Sequence, residues 1–161
     1  MINFLLLISY HLLLKFMSCQ ILILPLISAT IAQIIEFVIK SNKQKFKFKN
    51  LFAYAGMPSG HSAIVVSLAT IVGLIQGWRS PFFAISFFLA FIVIRDALGL
   101  RRYLGRHGKV LNILVKDLKD DQILDEKYPR LLERIGHTPA QVLIGALIGF
   151  FISLIGYWLL N

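Results

Sequence analysis

Long apolar segments separated by short polar stretches dominate the chain. An α-helix needs roughly 20 apolar residues to cross a bilayer, and four segments approach or reach that length. Residues 1–14 are also apolar, but Lys15 ends this run early, so we predict a short interfacial or partly inserted helix over residues 1–16. The predicted fold is an all-α, polytopic integral membrane helix bundle with about four transmembrane helices in a domain covering residues 17–161. The predicted spans are residues 17–39, 61–78, 82–100 and 138–159, and a polar loop is predicted over residues 101–136.

Composition narrows the class of protein. Of the 161 residues, 57% are hydrophobic and the mean hydropathy is +0.74, values that soluble domains rarely reach. Cys19 is the single cysteine, which excludes an intramolecular disulfide, and no residues with zinc-ligand spacing surround it. The sequence also lacks the carboxylate clusters of a magnesium site, so we expect neither a metal nor another cofactor.

Positive charge is concentrated in two stretches. Residues 40–60 and 101–137 carry 14 of the 17 lysines and arginines, and four spans place both stretches on one side of the membrane. The positive-inside rule makes that side cytoplasmic. Because no separate soluble domain carries the formal charge of +9, we do not expect nucleic acid as a partner. Anionic lipid headgroups or a phosphorylated substrate suit the charge better.

Two predicted helix starts on that side have the features of an anion site. The second span begins at residues 58–61 (Pro-Ser-Gly-His) and the fourth at residues 137–139 (His-Thr-Pro). Proline suits the first turn of a helix, and the unpaired N–H groups there attract anions. Gly60 lets a ligand approach the backbone closely. His61 and His137 are candidate acid–base groups, and ordinary interfacial histidines are the alternative interpretation.

Charged residues near the end of the third span complete the candidate cluster. Arg95 and Asp96 lie about a turn inside the membrane, and Arg101 and Arg102 follow. Two histidines, fixed cations and two helix N-termini are the parts that phosphoryl transfer through a phosphohistidine requires, because one imidazole attacks phosphorus while the other protonates the leaving oxygen. Two alternatives stay open: Asp96 has either a catalytic role or a structural pairing with a nearby arginine, and Arg101 and Arg102 either bind phosphate or anchor the span.

Small residues recur every four positions on two of the spans. Such stripes let membrane helices approach closely, so we predict that both serve packing rather than chemistry. The stripes are Ala69, Gly73 and Gly77 on the second span, and Gly145, Gly149 and Ser153 on the fourth.

These motifs resemble the type 2 phosphatidic acid phosphatase superfamily, which also includes relatives of acid phosphatases and vanadium haloperoxidases. Residues 58–61 match its Pro-Ser-Gly-His box letter for letter. Three boxes also resemble the divergent branch of bacterial and plant membrane proteins, which is similar over nearly all of residues 18–160. They are Gly-Met-Pro-Ser-Gly-His-Ser-Ala at 56–63, Asp-Ala-Leu-Gly-Leu-Arg-Arg at 96–102 and Gly-His-Thr-Pro at 136–139.

The resemblance implies roles for individual residues. His137 would be the nucleophile and His61 its acid–base partner, with Asp96 a further catalytic candidate. The phosphate would be held by Ser59, Gly60, Arg101 and Arg102. Two positions depart from the pattern: the acidic residue four after the nucleophile is Gln141, which could still orient the histidine, and the usual lysine near the end of the first span is Glu36.

The resemblance implies a membrane phosphatase that acts on a lipid-borne phosphomonoester or pyrophosphate, in a bacterial inner (plasma) membrane with its site on the cytoplasmic face. The alternative is a catalytically degenerate relative that binds anionic lipid or a partner protein. A small transporter or channel fits less well, because the charged residues lie near the ends of the spans.

Overall fold

The computed structural model of the protein describes residues 2–39, 56–117, 131, 133 and 136–161, with side chains described from residue 19 onward and, in the fourth helix, up to residue 115. These described residues form five helices and no strand. The helices are α1 (Ile2–Val38), α2 (Gly60–Gln76), α3 (Pro81–Leu98), α4 (Leu100–Asp117) and α5 (Pro139–Leu160). The lysine-rich residues 40–49 and the loop residues 118–130 lie outside the described residues.

The exterior of the bundle is apolar. Three segments are long and apolar enough to cross a membrane: Cys19–Val38 of α1, Pro81–Val115, which comprises α3 and most of α4, and Pro139–Leu160. Helix α2 is shorter, with 17 residues. On α3, Phe82 and Phe88 are 64% and 61% exposed, which is a stable arrangement against lipid but not against water. The protein is therefore a polytopic helical membrane protein, as predicted.

Helix α2 lies at the centre and packs against α1, α3 and α5. A chain of serine hydroxyls links three of these helices: the Oγ of Ser67 in α2 lies 3.0 Å from that of Ser28 in α1 and 2.6 Å from that of Ser153 in α5. All three side chains are fully buried. Because lipid offers no hydrogen-bond partner, these hydroxyls satisfy one another and hold the helices together.

The glycine stripe of α5 allows its close approach to α2. A Cβ atom at Gly145 would meet the backbone of Ser59, and one at Gly149 would meet the backbone of Ala63 and Ser67. The packing role predicted for this stripe is confirmed. Gly77 of the other stripe differs, because it ends α2 with φ +86° and has no atom near its Cβ position. That conformation favours glycine for its backbone freedom.

The structure corrects the loop predicted over residues 101–136, because α4 occupies its first half. The many charges suggested an irregular polar connection, but Leu100, Leu104 and Leu111 recur at helical spacing and form one side of a helix. Helix α1 runs without a break from Ile2 to Val38, so residues 2–16 continue the helix of the first span. Their location at the membrane interface stays a prediction.

Candidate active site

The start of α2 exposes the backbone amides that the sequence predicted as an anion site. Ser59 is the N-cap, and its Oγ accepts a hydrogen bond from the N–H of Ser62 at 3.3 Å. The first intrahelical bond runs from the N–H of Ala63 to the carbonyl of Ser59 at 3.1 Å. The N–H groups of Gly60 and His61 therefore lie outside the helix's own hydrogen bonding. These amides form the positive end of the α2 dipole and can donate hydrogen bonds to an anion.

The start of α5 is closed by a capping box. The N–H of Gln141 donates to Oγ1 of Thr138 at 3.3 Å, and the N–H of Thr138 donates to Oε1 of Gln141 at 2.8 Å. The carbonyl of Gln141 accepts a hydrogen bond from the N–H of Ser59 at 3.0 Å. The two helix starts are thus joined by main-chain atoms, and the side-chain oxygen of Gln141, predicted as a possible orienting group for His137, serves the cap instead.

The residues just before α5 are fixed to the corner between α3 and α4. Gly136 has φ +92°, and a Cβ there would meet the backbone of Arg101 and Arg102. The N–H of His137 donates to the carbonyl of Ala97 at 3.1 Å. Only glycine allows both this backbone conformation and this close approach, so the Gly-His pair holds the backbone of His137 against the end of α3.

The two histidines of the motifs lie side by side. The ring centroids of His61 and His137 are 6.2 Å apart and the ring planes meet at 66°. His61 is exposed, whereas His137 is only 8% exposed. Within the described part of the chain, Nδ1 of His137 is buried and has no hydrogen-bond partner. The side-chain nitrogen of Gln20 in α1 is also buried without a partner, so it is the position of His137 beside His61 that makes it a functional candidate.

Arg101 and Asp96 form an ion pair beside the histidines, with Nε and Oδ2 2.7 Å apart. This is one of the structural pairings expected for Asp96. The side chains are 43% and 36% exposed, so the pair contributes little to stability. Burial, followed by the charges of His61 and Arg101, lowers the pKa of His137 to about 4. His137 is therefore neutral at physiological pH, the form in which an imidazole is a nucleophile.

The remaining predicted residues have different positions. The side chain of Arg102 is exposed, and its backbone supports Gly136. Glu36, in the last turn of α1, accepts a hydrogen bond from the N–H of Gly56 just before the α2 motif. Sequence reasoning missed this contact. The sequence did contain an indication of this contact. A carboxylate in the last turn of a helix is destabilised by the negative end of the helix dipole, which suggests that it has a specific partner.

The helical membrane domain and the two histidine-bearing helix starts define a membrane protein of the PAP2-related class, where PAP2 denotes type 2 phosphatidic acid phosphatase. The chain belongs to the Divergent PAP2 family, whose model matches residues 17–152. It is also 37% identical over 145 residues to the "Uncharacterized membrane protein YuiD" of Bacillus subtilis (strain 168), an alignment covering 81% of this chain and 92% of that protein. No solved structure matches the chain. The resemblance inferred from the sequence motifs is confirmed.

Proposed function

We propose that the protein is a membrane phosphatase that removes phosphate from a lipid-borne phosphomonoester or pyrophosphate through a histidine nucleophile. The observation that carries this proposal is the pairing of His61 and His137, whose ring centroids are 6.2 Å apart. This separation suits one phosphoryl group between the rings, with a nucleophile on one side and a proton donor on the other.

In the first step, Nε2 of His137 attacks phosphorus, because Nδ1 is enclosed by protein. An N–P bond forms as the P–O bond to the lipid breaks, and protonated His61 donates its proton to the leaving oxygen. In the second step, neutral His61 takes a proton from water, whose oxygen attacks the phosphohistidine. A P–O bond forms, the N–P bond breaks, and inorganic phosphate leaves with His61 protonated again.

The phosphoryl oxygens would be held by fixed donors while charge develops on them. The N–H groups of Gly60 and His61, at the start of α2, would donate hydrogen bonds to these oxygens. Arg101, which is paired with Asp96, would supply a positive charge. Ser59 would support this site as the buried cap of α2, and the exposed Arg102 would be a further cation for the phosphate.

The substrate would enter from the bilayer. The exterior of the helices is apolar, so a lipid tail can stay in the membrane while the phosphate reaches the helix starts. The concentration of lysine and arginine on the side of the helix starts supports a cytoplasmic location of the site in a bacterial inner membrane.

One observation favours the second candidate, a relative that binds anionic lipid or a partner without catalysis. Among the described residues, no side chain accepts a hydrogen bond from Nδ1 of His137, and the side chain of Gln141 completes the helix cap. A carboxylate at Nδ1 would stabilise the imidazolium of a phosphohistidine. Without one, the intermediate is harder to form.

The test is phosphate release by the purified protein in detergent from phosphatidate, a polyprenyl phosphate and a polyprenyl pyrophosphate. We expect His137→Ala and His61→Ala to abolish release, while the exposed His107 of α4 provides the matched control His107→Ala with unchanged release. The unsubstituted protein should also form an acid-labile phosphoenzyme that His137→Ala lacks.

Release that survives His137→Ala would contradict the histidine mechanism. Absence of release from every substrate, with lipid binding retained in all variants, would select the non-catalytic candidate.

A further inference from the structure

Helix α4 leaves the bundle. It begins at Leu100, two residues after α3 ends at Leu98, and has 18 residues, a length of about 27 Å. Among the described helices it contacts α3 and none of α1, α2 and α5. Most of the α4 surface is therefore not covered by the other described helices.

Successive residues of a helix are about 100° apart, which divides α4 into three faces. The internal face is turned towards the protein: Arg101 pairs with Asp96, and Asn112 exchanges hydrogen bonds of 2.9 and 3.0 Å with the backbone of Leu131. Gly105 and Gly108, on the same side, are buried. The internal face comprises Arg101, Gly105, Gly108 and Asn112.

The apolar face occupies an arc of about 100° beside the internal face. Its side chains are between 48% and 68% exposed, and no described helix covers them. The exposed His107 interrupts this arc, and the exposed Ile113 lies outside it, on the opposite side of the helix. An apolar surface of this size is nevertheless costly in water. The apolar face comprises Leu100, Tyr103, Leu104, Leu111 and Leu114.

The basic face lies opposite the apolar face. Arg102, Arg106 and Lys109 are all exposed, and the guanidinium carbon of Arg106 lies 5.8 Å from the ring centroid of Tyr103, at the border between the two faces. A helix with an apolar arc and a lysine- and arginine-rich arc has the composition of helices that lie in the plane of a membrane interface.

We propose that α4 lies in the membrane interface, with its apolar face among the acyl chains and its basic face at anionic lipid headgroups. Continuity with the membrane surface favours lipid over a protein partner: Phe91 and Ile92 near the end of α3 are 54% and 63% exposed, and α4 starts between two and three turns after them. The helix thus begins at the boundary of the bilayer. Electrostatic attraction between these basic side chains and anionic headgroups would orient the helix about its own axis.

This arrangement would also set the depth in the membrane of Arg101, a residue of the candidate active site. Arg101 is on the internal face of the same helix, so lipid contacts on the other two faces would hold the Arg101–Asp96 pair at headgroup depth. The proposal concerns lipid contact alone and stands independently of the phosphatase reaction.

Site-directed labelling tests the proposal. Cys19→Ser removes the single cysteine, and Leu111→Cys and Lys109→Cys then place a fluorescent NBD label on opposite faces only two residues apart. Both positions are exposed, so neither change disturbs packing. The labelled proteins are placed in nanodiscs of phosphatidylcholine and phosphatidylglycerol, which leave both membrane surfaces open to solutes. Phe88→Cys on α3 is the control for a lipid-facing label.

We expect the label at position 111 to show blue-shifted emission and quenching by brominated lipid, and the label at position 109 to be quenched by aqueous iodide. Quenching of position 111 by iodide would overturn the proposal, because the apolar face would then meet water. Quenching of position 111 by neither agent would also overturn it, because the face would be covered by protein, such as a second copy of the chain.

A second arm tests the anionic lipid. Lipid quenching at position 111 should weaken when phosphatidylcholine replaces all the phosphatidylglycerol, and this difference should disappear when Arg106→Gln and Lys109→Gln are added. Equal quenching in the two lipids with the basic face intact would contradict its contact with anionic headgroups.

Discussion

The middle of the bundle and its histidine-bearing end treat buried polar atoms differently. In the middle, the hydroxyls of Ser28, Ser67 and Ser153 are fully buried, and each has a partner on a neighbouring helix. At the end, Nδ1 of His137 is buried without a partner among the described residues. In the first region, each of the three hydroxyls has its hydrogen-bond partner within the protein. The second has a buried nitrogen with unused hydrogen-bonding capacity.

This difference distinguishes two regions of a bundle in which helices α1, α2, α3 and α5 are all largely apolar. Polar residues that hold helices together complete their hydrogen bonds within the protein. Among the described residues, the buried Nδ1 of His137 and the buried side-chain nitrogen of Gln20 in α1 are left without a hydrogen-bond partner. The following experiments test the two regions in order of decreasing expected effect.

The largest effect is expected from Gly149→Ala in the middle of the bundle. Its Cβ would meet the backbone of Ala63 and Ser67, which cannot move without separating α2 from α5. We expect a loss of about 3 kcal/mol or more in the free energy of unfolding, measured by thermal or chemical unfolding in detergent. Gly156→Ala is the matched control, because its Cβ would meet only the flexible side chain of Leu24. Equal losses in both variants would argue against backbone contact at Gly149.

The next effect is a dependence of stability on pH at the histidine-bearing end. The pKa of His137 is lowered from 6.5 to about 4 by burial and by the charges of His61 and Arg101. Between these values the unfolded state binds the extra proton, so stability is fully present above pH 6.5 and decreases as the pH falls towards 4. The thermal midpoint, followed from neutral pH downward, should fall less steeply in His137→Gln. A slope unchanged in His137→Gln would assign the pH dependence to other groups.

Removing the central hydroxyl should cost less than crowding the backbone. Ser67→Ala removes the hydroxyl that Ser28 and Ser153 share and leaves them only the backbone carbonyls of Leu24 and Ser67 as partners. Interhelical hydrogen bonds in membranes contribute about 1 kcal/mol. Thr70→Val is the matched control, since the Thr70 hydroxyl donates only to its own helix, to the carbonyl of Val66 at 2.8 Å. Unfolding measurements that rank Thr70→Val as the more harmful variant would contradict a linking role for the serine chain.

The smallest effect is expected from Gln141→Glu. Glutamate preserves the capping box with Thr138 and adds a negative charge at the positive end of α5. We expect a stabilisation of about 0.3–1 kcal/mol, measured as a rise in the thermal midpoint. Gln141→Ala should lower the midpoint by removing the cap. A fall in the midpoint with glutamate would indicate that its charge is repelled or poorly solvated at this position.

The sequence predicted the parts of the fold that follow from local chemistry. The start of α5 was predictable because Thr138 and Pro139 have capping and first-turn preferences that need no tertiary contact. At α2 the first-turn position predicted for Pro58 is wrong, because Ser59 is the cap and Pro58 precedes it. The meeting of His61 and His137 was predictable because alternating spans bring their helix starts to one membrane surface.

The rest depended on contacts that no local pattern specifies. A serine in an apolar helix can bond to its own backbone or to a neighbouring helix, so the chain through Ser67 could not be inferred. Gln141 lies four residues after His137, a spacing that suits an orienting group as well as a cap, and the structure has the cap. In α4, the high proportion of charge concealed the helical spacing of the leucines.

The hydrogen bond between the N–H of Ser59 and the carbonyl of Gln141 has a consequence for mutational robustness. It joins the two histidine-bearing helix starts through main-chain atoms at 3.0 Å, so the exchange of either side chain removes neither the donor nor the acceptor. Only a proline at position 59 would delete the donor. The histidines at this end of the protein can therefore be replaced one at a time while the cross-link between the helices is kept.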